Sequence, residues 1–353
     1  MKKNITLFTI SLSKGGAETQ MVKLSIFLAK QGHNVAVLYL LPTNDFKDQL
    51  EEQNVLFKHI PIKKGLGVFS IIKYIKSNST DILISFMFGA NIIARFVKMC
   101  TSVKLVTSVR NNEIAKRYSL LYKLTYKLDN ASTFNSIVSL NKFKSEGLSI
   151  PERSFLMNNA ISIPDTVVEK EKAEVFTFIS IAHFRPQKDY VSLFKAIRIL
   201  KDKNIKVKLY VLGNLNNAIW PFELLKEHCI EGQVDILGFC SNPKEYVLQS
   251  DAVVLSTFWE GTPNAVLEGM SEKKPIVATA VPGCIELLSE SQCGFLSEKN
   301  NAVDLSEKME KLINLSDNER SILGNNGYEF VKNNYDEKSV YKKWEDLINN
   351  LED

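Results

Sequence analysis

The segment Phe258-Trp259-Glu260-Gly261-Thr262-Pro263-Asn264-Ala265-Val266-Leu267-Glu268 follows a β-branched run, Ala252 to Ser256, and passes straight into an apolar pattern of helical spacing. Pro263 suits the first helical position and Thr262 the cap before it, which sets Glu260 in the loop and Glu268 in the second turn. A strand-to-helix turn of this kind aims its first backbone N–H groups, those of Asn264 and Ala265, at an anion such as a diphosphate. Two carboxylates flank that position at different depths, and a carboxylate is the natural acceptor for paired sugar hydroxyls. An elongated nucleotide-sugar fits the arrangement, with Glu260 at one end and Glu268 at the other. The plain alternative is a helix-start Glu followed by a solvated one; the loop, the cap and both acids occurring together argue against it.

Around this segment the chain alternates short β-branched runs with longer helical patterns, which predicts parallel sheets covered by helices. In the second half, strands are expected at Phe176–Ala182, Val207–Gly213, Val234–Leu237, Ala252–Ser256 and Pro275–Ala280, with helices at Tyr190–Lys201, Phe222–Cys229 and Pro263–Met270. In the first half, strands are expected at Ile5–Ser11, Val35–Leu40, Asp81–Phe86, Lys104–Ser108 and Ser136–Leu140, with a helix over Ala17–Gln31 whose Met21, Leu24 and Leu28 cover the sheet. A hinge is expected over Asn158-Asn159-Ala160-Ile161-Ser162-Ile163-Pro164-Asp165. The fold class is therefore α/β, two Rossmann-like doubly wound domains over 1–165 and 166–335 that face a cleft, with ligands at the carboxyl ends of the strands.

Length agrees: 353 residues is about two domains of ~150. With 45% hydrophobic and 24% charged residues, disorder, collagen-like repeats and a long coiled coil are excluded. Five cysteines without a C-x-x-C pair or a His at ligand spacing speak against a disulfide framework or a zinc site and fit a reducing compartment. The run Ile5–Leu12 contains Thr6, Thr9 and Ser11 and reads as a buried strand rather than a signal peptide. No window reaches the ~18 apolar residues of a membrane span; Ile82–Ala94 comes nearest and is broken by Ser85, Gly89 and Asn91. The net charge of +4 is a sum of unlike halves: residues 1–165 hold 22 Lys and Arg against 11 Asp and Glu, and the remainder 22 against 29. A basic first half attracts anions. Nucleic acid is not expected as a partner, since no helix-turn-helix, RNP motif or zinc finger occurs.

The first loop, Ser13-Lys14-Gly15-Gly16-Ala17-Glu18, places paired glycines between strand and helix, where backbone can approach a ligand. It is not the G-x-G-x-x-G fingerprint of dinucleotide enzymes, which disfavours a dehydrogenase. Glu260 and Glu268, set within E-G-T-P-N-A-V-L-E-G-M and followed by K-K-P-I-V-A-T-A-V-P-G, resemble the E-x7-E signature of the retaining glycosyltransferases of family GT4, which have the GT-B fold. Gly15-Gly16-Ala17-Glu18 resembles that family's N-terminal glycine loop, Phe184-Arg185-Pro186-Gln187-Lys188-Asp189 its diphosphate-binding loop, and Leu237-Gly238-Phe239 its base-binding segment. The resemblance implies that Glu260 contacts the donor sugar and Glu268 the ribose, with Gly261, Thr262 and Pro263 near sugar and phosphates. Gly213 is placed on the donor side with them. It also implies a C-terminal helix, within 336–353, that returns to the first domain.

The chain departs from the family in two places. His183 stands where an Arg is usual, so Arg185, two residues on, and Lys188 are the expected partners of the departing diphosphate, with His183 either packing or contacting phosphate. In Val106-Thr107-Ser108-Val109-Arg110-Asn111-Asn112, Arg110 takes the place of a usual His; a guanidinium is no general base, so Arg110 is expected to meet phosphate or acceptor. The acceptor side is expected to include Phe88, Asn91 and Asn111. No D-x-D triplet occurs, so no metal and no cofactor is expected, the nucleotide-sugar being a substrate.

On a helix over Lys116–Leu128, Leu120, Leu121, Leu124 and Leu128 form a stripe edged by Lys116, Lys123 and Lys127, which suits an anionic membrane interface and equally an ordinary helix packed on the sheet. The expected location is cytoplasmic, peripheral at the inner face of the cell membrane. The function that follows is metal-independent, retaining transfer of a hexosyl or N-acetylhexosaminyl unit from a nucleotide-sugar, a UDP-sugar by preference, to a glycan or lipid-linked glycan. The setting implied by resemblance is bacterial surface polysaccharide, lipopolysaccharide or capsule. The alternatives are a nucleotide-sugar epimerase of the same fold and a non-catalytic glycan-binding or partner subunit. Loss of the acids and the lysine would mark the latter.

Overall fold

The computed structural model describes residues 2–61, 67–111, 114, 116–164, 166, 174–240 and 242–351, with the backbone only at 116 and 117. Asn112 and the expected boundary at Asp165 lie outside the described residues, as does the side chain of Lys116. The chain divides into two compact units, Met1–Ala160 with Lys338–Asp353, and Ile161–Glu337. The division falls inside the expected hinge, earlier than 165.

In unit 1 the order is β1 (Asn4–Thr9), α1 (Gly16–Lys30), β2 (Asn34–Tyr39), α2 (Lys47–Glu52), β3 (Leu56–His59), α3 (Gly67–Ser77), β4 (Ile82–Phe86), α4 (Phe88–Met99), β5 (Lys104–Val109), α5 (Lys116–Thr125), β6 (Ala131–Phe134), α6 (Ile137–Ser145) and β7 (Ser154–Leu156). The strands form a parallel sheet in the order β3-β2-β1-β4-β5-β6-β7. Both faces are covered, which is why β1 and β4 are buried along almost their whole length and read as unbroken apolar runs. The segment nearest to a membrane span is thus β4 and the start of α4. No helix among the described residues is long and apolar enough to cross a membrane.

Unit 2 follows as β8 (Phe176–Ile181), α7 (Tyr190–Asp202), β9 (Val207–Leu212), α8 (Trp220–Glu227), β10 (Val234–Gly238), α9 (Lys244–Gln249), β11 (Ala252–Leu255), α10 (Asn264–Ser271), β12 (Ile276–Thr279), α11 (Pro282–Ser291), β13 (Gly294–Ser297), α12 (Ala302–Ile313) and α13 (Asp317–Asn334). Its sheet, also parallel, runs β10-β9-β8-β11-β12-β13. The last helix, α14 (Glu337–Asn350), belongs to the core of unit 1. Val340, Tyr341, Trp344, Leu347 and Ile348 share one face at helical spacing and are buried against residues of β1, β2 and β4, Trp344 stacking on Phe86 at 6.4 Å between centroids. A buried Trp of this kind contributes about 3 kcal/mol or more.

One expected strand is a helix. Ser136–Leu140 opens α6, because the Ser136 side chain accepts a hydrogen bond from Ser139 N–H at 3.1 Å and caps it, while the strand lies just before, at β6. In the deciding segment the helix starts one residue later than expected. Pro263, at ψ 114°, is the cap and Asn264 the first helical residue, so Thr262 belongs to the loop.

Candidate active site

All strands of each sheet run the same way, so their carboxyl ends share one edge. In unit 2 the strand order reverses direction between β8 and β11, the position where a doubly wound sheet opens a crevice for ligands. The loops after those two strands are tied to each other. Asp189 N–H donates to Ser256 O at 3.1 Å and Phe258 N–H to Gln187 O at 2.9 Å. Gln187 Nε2 donates to Trp259 O at 2.6 Å, and Thr257 Oγ1 lies 3.2 Å from Gln187 O. These bonds bring Lys188 to Glu260 as an ion pair whose side chains are only 17% and 12% exposed. Thr257 Oγ1 donates to the same Glu260 Oε1 at 3.1 Å, so the carboxylate is held from two sides.

Next to this pair the first turn of α10 presents Asn264 and Ala265, both half-buried, while Val266, Leu267 and Met270 anchor the helix in the core. The amides of Val266 and Leu267 turn back to Pro263 O. Glu268 is half-buried one turn on, and Gly261 and Thr262 form the half-buried approach to the helix.

The ends of β8, β9 and β10 meet on the other side of the crevice. Gly213 N–H donates to Gly238 O at 2.8 Å, and Asn214 N–H to His183 Nδ1 at 2.9 Å. A Cβ on Gly213 would fall 2.0 Å from Ala182 O, so only glycine lets these ends pack. His183 is thereby fixed with Nδ1 as acceptor, a structural task at the end of β8. Leu237 is exposed just before Gly238, whose φ of 72° turns the chain. Arg185 is exposed, its backbone N–H closing a tight turn onto His183 O at 2.8 Å.

Two residues beside this site were given no role in the sequence reading. A Cβ on Gly283, at the start of α11, would fall 1.4 Å from Gly261 O, so α11 packs directly on the backbone next to Glu260. Cys284 is fully buried behind it; burial pushes its thiol pKa up, and the nearby Glu260 charge pushes it further. The signal for Gly283 was present in Val281-Pro282-Gly283, a proline at a helix start followed by a residue with no side chain.

Unit 1 reverses direction between β1 and β4. Gly15 caps α1 and Gly16 begins it; a Cβ on Gly15 would fall 2.5 Å from Glu18 Oε2, so the chain's own carboxylate folds over the turn. After β4, Met87 takes φ 75° and ψ 151°, a conformation that costs a non-glycine residue roughly 1–3 kcal/mol and marks this loop as a constrained one. Two of the residues expected on the acceptor side, Asn91 and Phe88, are buried with partners inside unit 1. Asn91 is fully buried, accepting from Ser85 Oγ at 2.8 Å and donating to Ser108 O at 3.2 Å. Phe88 is buried in an aromatic cluster with Tyr122 and Phe143. Both stabilise the loop from behind; Asn111 is exposed. Arg110 is buried too, donating from Nε to Ser108 Oγ and from Nη1 to Asn159 Oδ1, both at 2.9 Å, and lying 5.0 Å from the Phe86 ring centroid. Burial pushes its pKa down to about 9, which leaves it charged at neutral pH. Arg110 thus braces the chain at Asn159, a position its sequence neighbours did not indicate. Among the described residues no group of three or more His, Cys, Asp or Glu side chains is arranged to hold a metal ion.

Residues 165–330, nearly all of unit 2, match the family described as "Glycosyl transferases group 1". Unit 2 is a group 1 glycosyl transferase domain. The resemblance to surface-polysaccharide glycosyltransferases of family GT4 holds, and the fold is GT-B. The chain is 25% identical over 363 residues, 98% of each chain, to the Campylobacter jejuni enzyme named "GalNAc-alpha-(1->4)-GalNAc-alpha-(1->3)-diNAcBac-PP-undecaprenol alpha-1,4-N-acetyl-D-galactosaminyltransferase". It is 22% identical over 355 residues to the capsular polysaccharide biosynthesis glycosyltransferase CapM of Staphylococcus aureus, covering 92% of this chain and 91% of that one. Among solved structures, Anabaena HepE in complex with UDP-glucose superposes with a TM-score of 0.85 at 16% identity, over 99% of this glycosyltransferase and all of HepE.

Proposed function

We propose that this glycosyltransferase moves a hexosyl or N-acetylhexosaminyl unit from a UDP-sugar to a hydroxyl of a lipid-linked glycan, with retention at the anomeric carbon and without a metal. The observation that carries the reading is the Lys188–Glu260 pair at the switch point of unit 2, beside the start of α10. In the reaction the bond from the anomeric carbon to the diphosphate oxygen breaks with its electron pair, the acceptor oxygen bonds to that carbon, and the hydroxyl proton leaves to the diphosphate. Negative charge therefore grows on the diphosphate. In this reading Lys188, Arg185 and the first amides of α10 stabilise it. Glu260, pinned by Lys188 and Thr257, orients the sugar through its hydroxyls rather than acting as a loose nucleophile. Glu268 holds the ribose, and the Gly213–Leu237 ends frame the base. Support for the donor comes from HepE, whose structure contains UDP-glucose, and for the acceptor from the Campylobacter enzyme, whose name specifies an undecaprenyl diphosphate glycan.

The test is transfer from UDP-sugars, first screened by thermal shift, to an undecaprenyl-linked acceptor, in wild type and Glu260→Ala. The variant should lose at least about 100-fold in kcat/KM while still binding UDP. Near-normal transfer by Glu260→Ala would overturn the assignment, and a strict need for manganese or magnesium would remove the metal-independent part.

A further inference from the structure

The chain holds three tryptophans. Trp344 is buried and stacks on Phe86, and Trp220 is half-buried against the rings of Phe184 and Tyr190. Trp259 is the exception: it is 58% exposed, and among the described residues its indole stacks on no other ring. An indole left in water forgoes the burial through which Trp ordinarily stabilises a fold, so this ring contributes little to folding where it stands.

Its place is nonetheless fixed. Gln187 Nε2 donates to Trp259 O at 2.6 Å, and Thr257 Oγ1 lies 3.3 Å from the same oxygen. Phe258 and Glu260, on either side, are half-buried, and Phe258 N–H donates to Gln187 O at 2.9 Å. The backbone is thus gripped on both sides of the residue while the ring stays outward, with only two side-chain torsions to settle on contact. A rigid, exposed aromatic anchor is what a binding surface uses.

The neighbours select the class of ligand. Gln187, Glu260 and Thr262 are polar and Gly261 has no side chain, so the ring is not part of a wider apolar patch of the kind a protein partner covers. A pyranose matches the setting: one face of C–H bonds lies flat on an aromatic ring, and its rim of hydroxyls meets polar groups beside that ring. Depth selects which sugar. The Lys188 and Glu260 side chains are 17% and 12% exposed, so the group they hold sits deep in the crevice, whereas Trp259 stands outside them and meets the substrate that arrives second.

We infer that Trp259 is the platform for the acceptor: its indole stacks on the C–H face of the sugar ring that carries the attacking hydroxyl, so the acceptor ends in a pyranose and not in an open-chain polyol phosphate. The inference rests on the transferase reading given above and adds to it the chemical form of the acceptor's end.

The experiment compares wild type, Trp259→Ala and Trp259→Phe. Methyl glycosides of glucose, galactose, N-acetylglucosamine and N-acetylgalactosamine, with ribitol 5-phosphate as the open-chain comparison, are titrated with and without UDP while tryptophan emission is recorded. At least one glycoside should shift the wild-type emission to the blue, ribitol 5-phosphate should not, and the shift should be absent in Trp259→Phe. In transfer assays the KM for the acceptor should rise at least about tenfold in Trp259→Ala, with the KM for the UDP-sugar within about twofold of wild type, and Trp259→Phe should recover most of the loss. Melting temperature and UDP binding should be equal in all three proteins. Wild type that binds no UDP and transfers nothing would sink the transferase reading, and the glycoside titration would still read the stacking by itself. No shift with any glycoside, a shift as large with ribitol 5-phosphate, a shift caused by the UDP-sugar alone, or an unchanged acceptor KM in Trp259→Ala would each overturn the inference.

Discussion

Replacing Gly283 by Ala should disable the transferase through a single methyl group. The new Cβ would fall 1.4 Å from Gly261 O, 2.6 Å from Gly261 C and 3.3 Å from Glu260 O, all backbone atoms that no rotamer can move aside. Real Cβ contacts stay above 3.0 Å, so helix and loop must part by about 1.6 Å. The helix cannot supply that movement, because Cys284, Leu287 and Leu288 hold it in the core of unit 2. The half-buried Gly261 loop gives way instead and carries Glu260 with it. A misplacement of ~1 Å costs a catalytic group roughly 100-fold, so kcat/KM should fall by about that factor or more. The overpacking itself costs about 1–3 kcal/mol, or a melting temperature lowered by roughly 3–10 °C for a unit of this size. Gly232→Ala is the control, since a Cβ there meets nothing within 4 Å. The assay is transfer kinetics beside a thermal melt on all three proteins. Transfer by Gly283→Ala within about threefold of wild type would refute the claim that the Glu260 loop is positioned by α11.

Two further outcomes follow from the buried groups. Asp129→Ala leaves the Arg95 guanidinium buried without its carboxylate, so urea unfolding should show unit 1 weakened by about 3–5 kcal/mol while UDP binding by the remaining folded protein is kept; a loss under about 1 kcal/mol would contradict the pairing. Brief alkylation of the native protein near pH 8, read by mass spectrometry, should label Cys100 and Cys229, which are exposed, and spare Cys284 and Cys293, buried thiols whose pKa burial pushes up, that of Cys293 to about 11. Labelling of Cys284 before unfolding would contradict the packing behind Glu260.

The strands were legible because a sheet buried on both faces demands continuous β-branched runs, and β1, β2, β4, β5, β8, β9 and β11 all lie within two residues of where those runs predict them. The Lys188–Glu260 pairing was half legible. Each residue announced itself by its loop, but their meeting depends on Gln187 and Thr257, polar residues that carry no signal until two loops are side by side. The surroundings of Asn91, Phe88 and Arg110 were illegible for the same reason in reverse. A polar or aromatic residue after a strand looks like a ligand group, and only the fold shows that Ser85, Ser108, Phe143 and Asn159 have already claimed them. The helix at Ser136 was missed because Ile137-Val138 reads as β-branched, whereas a capping serine outweighs two residues of β propensity.

The division of charge has a consequence for how the two units would work. Unit 2 is acidic, with 19 Lys and Arg against 26 Asp and Glu, although the proposed donor is itself an anion. Its net field therefore opposes the donor, and attraction must come from short-range groups, Lys188, Arg185 and the start of α10. Such contacts act within a few ångströms in a half-buried crevice, well inside the ~10 Å over which salt screens exposed charges, and so respond weakly to ionic strength. Unit 1 is the opposite case, an excess of cations spread over a surface, whose attraction to any anionic partner is long-range and salt-sensitive. A net charge of +4 thus conceals two unlike electrostatic surfaces, one whose attraction for an anion is local and short-range, the other diffuse and basic.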